Sequence, residues 1–147
     1  MSAQTPLAPL NEHLEYWLRT AANHASFVLG RRLRAEGVTT AEWSLLRELY
    51  DLDDIMPNRL AKRLALTDSA VARLADRLVA KGLVVRDVNA MDVRQHRLYL
   101  TKEGRALVPV LAAHAGANET KLFAHLSADE RRVVQQVLKA IVEQRHG

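Results

Sequence analysis

The sequence contains no cysteine. Disulfide staples, thiolate metal sites and any thiol-based redox sensor built from this chain are therefore excluded. It also lacks a long apolar run, since none approaches the roughly 20 residues that a membrane span requires. Met1–Pro9 is polar and contains prolines, with no charged stretch leading into an apolar one. The cytoplasm is the expected address. A glycine-rich phosphate loop, a G-x-S-x-G elbow and an H-E-x-x-H run are all missing. His13, His24, His96, His114, His125 and His146 are scattered without metal-site spacing. These absences point away from an enzyme, from a resident cofactor or metal, and from a metal-sensing regulator. No internal repeat or low-complexity tract interrupts the chain.

What remains is an ordinary composition. The chain has 147 residues, 48% hydrophobic and 26% charged, enough for one packed domain with helical extensions. Its formal charge of +4 is compatible with a polyanionic partner without requiring one.

Leu10, Leu14, Trp17, Leu18, Ala21, Ala25, Val28, Leu29 and Leu33 recur at helical steps. They predict one long amphipathic helix from Leu10 to about Arg34, ended by Gly37. Its length suits a helix shared between subunits. Thr39 and Glu42 form a capping box ahead of Trp43, Leu45, Leu46, Leu49 and Tyr50. After a polar turn at Asp51–Asp54, Pro57 opens a short third helix through Leu60, Ala61 and Leu64. A tight Ala65-Leu66-Thr67 connection leads to a fourth helix, capped by Thr67 and ending at Gly82. Two extended segments, Leu83–Val88 and His96–Thr101, flank a polar tip from Asn89 to Gln95. Helical periodicity returns after Thr101, and Ser127 with Glu130 caps a last helix whose seam is Val133, Val134, Val137, Leu138, Ile141 and Val142.

The third and fourth helices make a helix-turn-helix candidate, in which the second helix enters the major groove. Ala70, Val71, Leu74, Ala75 and Leu78 share one face of that helix. Ser69, Arg73 and Asp76 lie roughly opposite, with Ala72 and Arg77 on the flanks. Ser69 and Ala72 are small enough for close approach, Thr67 and Ser69 offer hydroxyls, and Arg73 suits a bidentate bond to guanine. The same pattern also fits a plain amphipathic helix with a solvated charged face. The hairpin directly after it favours the winged form of the motif. Arg94 near the tip suits a narrow minor groove, and Asp92 is spaced to hold it in direction.

From Leu60 to Gly104 the chain resembles the MarR family of bacterial regulators. The matching residues are Leu60-Ala61, then Val71-Ala72-Arg73-Leu74-Ala75-Asp76-Arg77-Leu78 and Lys81-Gly82-Leu83-Val84-Val85-Arg86. Asp92-Val93-Arg94 and Leu100-Thr101-Lys102-Glu103-Gly104 continue the match. The chain departs from the family pattern at Val93, where a second basic residue is common, and at His96. The resemblance implies a mainly α fold with a small β-hairpin wing. It places a winged helix-turn-helix at residues 37–104 and a helical dimerisation region at residues 1–36 and 105–147. It implies a homodimer on double-stranded DNA with a palindromic operator, acting as a transcriptional repressor. Ser69 and Arg73 would face the major groove and Arg94 the minor groove, while Thr67 and Arg86 contact the backbone or brace the wing. A small aromatic or phenolic ligand would release the DNA from a cleft lined by His13, Trp17, His24 and Trp43. The competing expectation is a helical dimeric scaffold that binds DNA only through charge, with affinity that vanishes at moderate salt.

Overall fold

The computed structural model describes residues 5–88 and 96–144. Its elements are α1 (Leu14–Leu33), α2 (Thr40–Tyr50), α3 (Pro57–Leu64), α4 (Asp68–Ala80), β1 (Val84–Asp87), β2 (Arg97–Leu100), α5 (Lys102–Leu122) and α6 (Ala128–Glu143). The fold is mainly α with one antiparallel hairpin. The expected tip of that hairpin, with Asp92 and Arg94, lies outside the described residues.

Local chemistry sets most boundaries. Thr39 accepts from the Glu42 amide at 3.1 Å while the Glu42 carboxylate accepts from the Thr39 amide at 2.9 Å. This reciprocal box opens α2. Pro57 stands at the start of α3, where its missing N–H costs nothing. Ala65 ends that helix in the left-handed region, at φ 56°. The Thr67 hydroxyl accepts from the Ala70 amide at 3.1 Å and starts α4. Gly37 and Gly82 take φ values of 76° and 75° where α1 and α4 are closed off.

The long first helix is shorter than its periodicity predicts. Leu10–Glu12 form a single 3₁₀ turn, His13 is extended, and only then does α1 begin. The Trp17 indole donates to the Asn11 carbonyl at 2.8 Å, fastening this turn back onto α1. Hydrophobic spacing reports which side of a helix is apolar, but it does not register where the backbone ladder breaks.

The chain divides into two compact units, residues 1–114 and 115–147. The first holds the core. Leu45, Leu46 and Leu49 of α2 meet Leu60 and Ala61 of α3, Val71, Leu74 and Leu78 of α4, and Val84, Leu98 and Leu100 of the hairpin. Leu33 of α1 and Val108 and Leu111 of α5 are buried in the same cluster. This core therefore draws on both of the regions expected to dimerise.

In the hairpin, Val84 pairs with Leu100 and Asp87 with Arg97. Ile55, beyond the polar turn after α2, adds a bridge on the other side of β2, exchanging two backbone bonds with Leu98 at 2.9 and 3.1 Å. The base of the hairpin is knitted to α5. The Thr101 amide donates to the Leu83 carbonyl at 3.0 Å and its hydroxyl to the Gly82 carbonyl at 2.7 Å. That hydroxyl also accepts from the Gly104 amide at 3.0 Å. A Cβ on residue 104 would stand 2.1 Å from the Leu83 carbonyl oxygen, so only glycine fits. The second unit is different. No residue of α6 is buried, and its seam from Val133 to Val142 stands open, with Val133 at 56% exposure.

Candidate nucleic-acid interface

The short α3, the tight left-handed turn at Ala65 and α4 place a second helix on the surface with one face sunk into the core. Val71, Leu74, Ala75 and Leu78 are buried, which turns Ser69, Ala72, Arg73, Asp76 and Arg77 outward. Of the apolar face expected from the sequence, Val71, Leu74, Ala75 and Leu78 are buried and Ala70 is half-buried. Thr67 and Ser69 lie at the exposed N-terminal end, their hydroxyl oxygens 3.2 Å apart. Ala72 leaves space beside Arg73. Among the described residues neither Arg73 nor Arg77 takes part in a salt bridge, and both side chains are exposed. The exposed face combines small residues and hydroxyls at its N-terminal end with Arg73 beside them and Arg77 in the last turn; side chains of these types can bond phosphates and base edges.

Arg86 has a different setting. It reaches from β1 to α4, with its guanidinium 2.7 Å from the Asp76 carboxylate and donating to the Ala72 carbonyl at 3.4 Å. It holds the hairpin against the exposed helix. Beside it lies a cleft of about 600 Å³, lined by Pro57 and Asn58 of α3, Ala72 and Asp76 of α4, Arg86 and His96. Among the described residues the buried Nε2 of His96 has no hydrogen-bond partner.

A second ion pair lies at the far end of α4. Glu42 is wholly buried, and its two carboxylate oxygens accept from the Lys81 ammonium at 2.8 and 2.9 Å. The same ammonium donates to the Gly37 carbonyl at 2.7 Å. Burial works against ionising this carboxyl. The hydrogen bonds from Lys81 and Thr39, together with the ammonium charge, outweigh it and hold Glu42 below the usual carboxylate range. The sequence marks Glu42 only as half of a capping box; its distant partner carries no local signal.

The four residues expected to line a ligand cleft are spread along α1 and α2. His13, Trp17 and His24 are exposed, while Trp43 packs half-buried against the core. They do not line the cleft beside Arg86. A second cleft of about 570 Å³, between the end of α1 and the start of α2, is lined instead by Phe27, Gly30, Arg34 and Thr40, among others. Among the described residues, no three His, Asp or Glu side chains come together as a metal site. Among the described residues no helix is long and apolar enough to cross a membrane.

The order helix, helix, helix-turn-helix, hairpin, helix, helix defines a winged helix-turn-helix protein. Residues 36–95 match the model of the MarR family. A MarR family transcriptional regulator from Silicibacter pomeroyi is 34% identical, with 92% of this chain and 97% of that one aligned at a TM-score of 0.75. A mutant MarR from E. coli, complexed with operator DNA, is 28% identical over 87% of this chain and 92% of its own, at a TM-score of 0.80. MepR from S. aureus in a DNA complex is 25% identical over 90% and 98%, at 0.82. The chain belongs to the MarR family.

Proposed function

We propose that this chain is a transcriptional regulator that binds double-stranded operator DNA as a homodimer, in the manner of a repressor. The observation that carries the reading is the N-terminal face of α4, where the side chains of Ser69, Ala72 and Arg73 are exposed beside a braced hairpin. Two of the similar structures are DNA complexes, which supports the same reading. Ser69 and Arg73 read bases in the major groove. Thr67 and Arg77 meet phosphates, Arg86 braces the wing, and Arg94, held by Asp92, enters the minor groove.

In this reading, residues 37–104 are the DNA-binding part, and residues 1–36 and 105–147 form the dimerisation region. The exposed apolar residues of α1 and α6 support it: Leu14 is 88% exposed, and Phe27, Val137 and Ile141 are also open. A monomeric protein rarely leaves such seams in water. A small aromatic or phenolic ligand, bound beside His13, Trp17, His24 and Trp43, releases the DNA by favouring a dimer whose α4 helices no longer match the operator. It shifts that balance only by its differential affinity for the two states.

The test is selection of random duplex DNA by purified protein at near-physiological salt. Enrichment of a palindrome with half-sites about one helical turn apart supports the dimeric reader. Retention without enrichment, lost at moderate salt, overturns it in favour of the non-specific helical scaffold.

A further inference from the structure

We propose that Lys81 is a positioning residue that sets the angle of α4 against α2, and so the aim of the groove-reading residues. The inference rests on the DNA-reading role of α4. Three elements converge on one ammonium. Lys81 closes the C-terminal end of α4, Glu42 comes from the first turn of α2, and Gly37 ends the 3₁₀ turn Arg34–Glu36 that follows α1. All of its contacts lie between 2.7 and 2.9 Å.

The apolar contacts of α4 are strong but poorly directional, because burial of area is indifferent to small rotations. Three hydrogen bonds on one nitrogen are not indifferent. Here the carboxylate is buried while Lys81 still reaches water; ion pairs taken out of water contribute little net stability, and their best-attested role is to select one arrangement among several. The lever is long. Ser69 lies 12 residues up the helix from Lys81, about 18 Å at 1.5 Å per residue, so a tilt of about 10° moves it about 3 Å. That displacement is enough to break a bidentate base contact. The Arg86–Asp76 pair, midway along α4, restrains the helix toward the hairpin rather than toward α2.

The absence of cysteine permits a direct test. Spin labels are attached to Ala41→Cys on α2 and Asp68→Cys on α4, both exposed sites, and diluted with unlabelled protein so that distances within one chain dominate. The test variant is Glu42→Gln with Lys81→Met, which removes both charges and leaves neither orphaned. The expected result is a cooperatively melting protein whose α2–α4 distance distribution is about twice as wide. Its preference for operator over spacing-altered DNA falls about tenfold, roughly the value of one bidentate contact, while salt-sensitive affinity for random DNA changes little. An unchanged width overturns the proposal. Should the double variant fail to melt cooperatively, Lys81→Arg is read instead, since it keeps the charge and alters the reach. A shifted mean distance supports the clasp, and an unmoved one overturns it. A wild type that selects no sequence overturns the regulator reading alone, because the label distances still decide the role of Lys81.

Discussion

Helices α4 and α6 have the same kind of sequence and opposite fates. Each carries a clean apolar seam and opens with a hydroxyl cap. In α4 the seam is buried by α2, α3 and β1 within one chain, and the exposed side is polar. In α6 no residue is buried, and six branched aliphatic side chains from Val133 to Val142 face outward. An amphipathic pattern states that a face needs cover; it does not state what covers it. Under the proposed function, α4 serves a reader built inside the chain and α6 a surface for a second copy.

The sharpest way to break this contrast is to place charge on each seam. Val137→Asp with Ile141→Asp is expected to abolish dimerisation, read as a halving of mass in sedimentation, and with it cooperative operator binding. A variant that stays dimeric would remove α6 from the interface. Next, Leu78→Ala in α4 is expected to cost about 2–5 kcal/mol, since it leaves a cavity in a packed core. The melting temperature of Ile141→Ala should depend on protein concentration in a way that Leu78→Ala does not alter.

The two capping boxes sharpen the comparison. Glu42 is buried and paired with Lys81, whereas Glu130 is exposed and, among the described residues, hydrogen-bonded to Ser127 alone. Glu42→Gln is expected to cost about 3 kcal/mol, the lower end for a broken buried pair because Lys81 still reaches water. Glu130→Gln is expected to change stability far less. The pH dependence follows from the depressed Glu42 carboxyl. Its contribution is complete above the ordinary value of 4.5 and is lost as pH falls through the lower folded value. Thermal melts from pH 6 down to pH 3 should therefore drop more steeply for wild type than for Glu42→Gln, and parallel slopes would remove this carboxyl from the account.

Smaller effects probe the reader itself. Arg73→Ala is expected to weaken operator binding by about 1–3 kcal/mol and to relax preference at one base pair per half-site. Equal losses on every sequence would reassign it to phosphate. Ala65→Gly is expected to stabilise by about 0.5 kcal/mol, because relief of the left-handed strain slightly exceeds the added chain entropy. A lower melting temperature would show that the turn tolerates its alanine without strain.

Much of the fold was legible because its signals are local. Thr39 with Glu42, Ser127 with Glu130, the Thr67 cap, Pro57, Gly37 and Gly82 all act within one turn of where they stand. The alternation of Leu98 and Leu100 likewise identified the buried side of the hairpin. The exposed set on α4 followed from periodicity once its apolar face was known. The 3₁₀ start before α1 was not legible, nor was the bridge from Ile55 to Leu98. The Lys81 clasp joins residues 39 positions apart, and the Asp76–Arg86 pair joins a helix to a strand. Asp76 looked like part of the outward polar face, and only its neighbour on β1 turned it into a brace.

Local sequence specified the elements, most of their ends and their two-faced character, the start of α1 excepted, because backbone capping and hydrophobic period depend on residues within a few positions of one another. The tertiary structure alone decided which apolar face is filled, which arginine is tied down and which is presented, and where a buried carboxylate finds its ammonium. Those are matters of distance between segments remote in sequence, and a buried charge or an open seam has meaning only once its neighbours in space are in place.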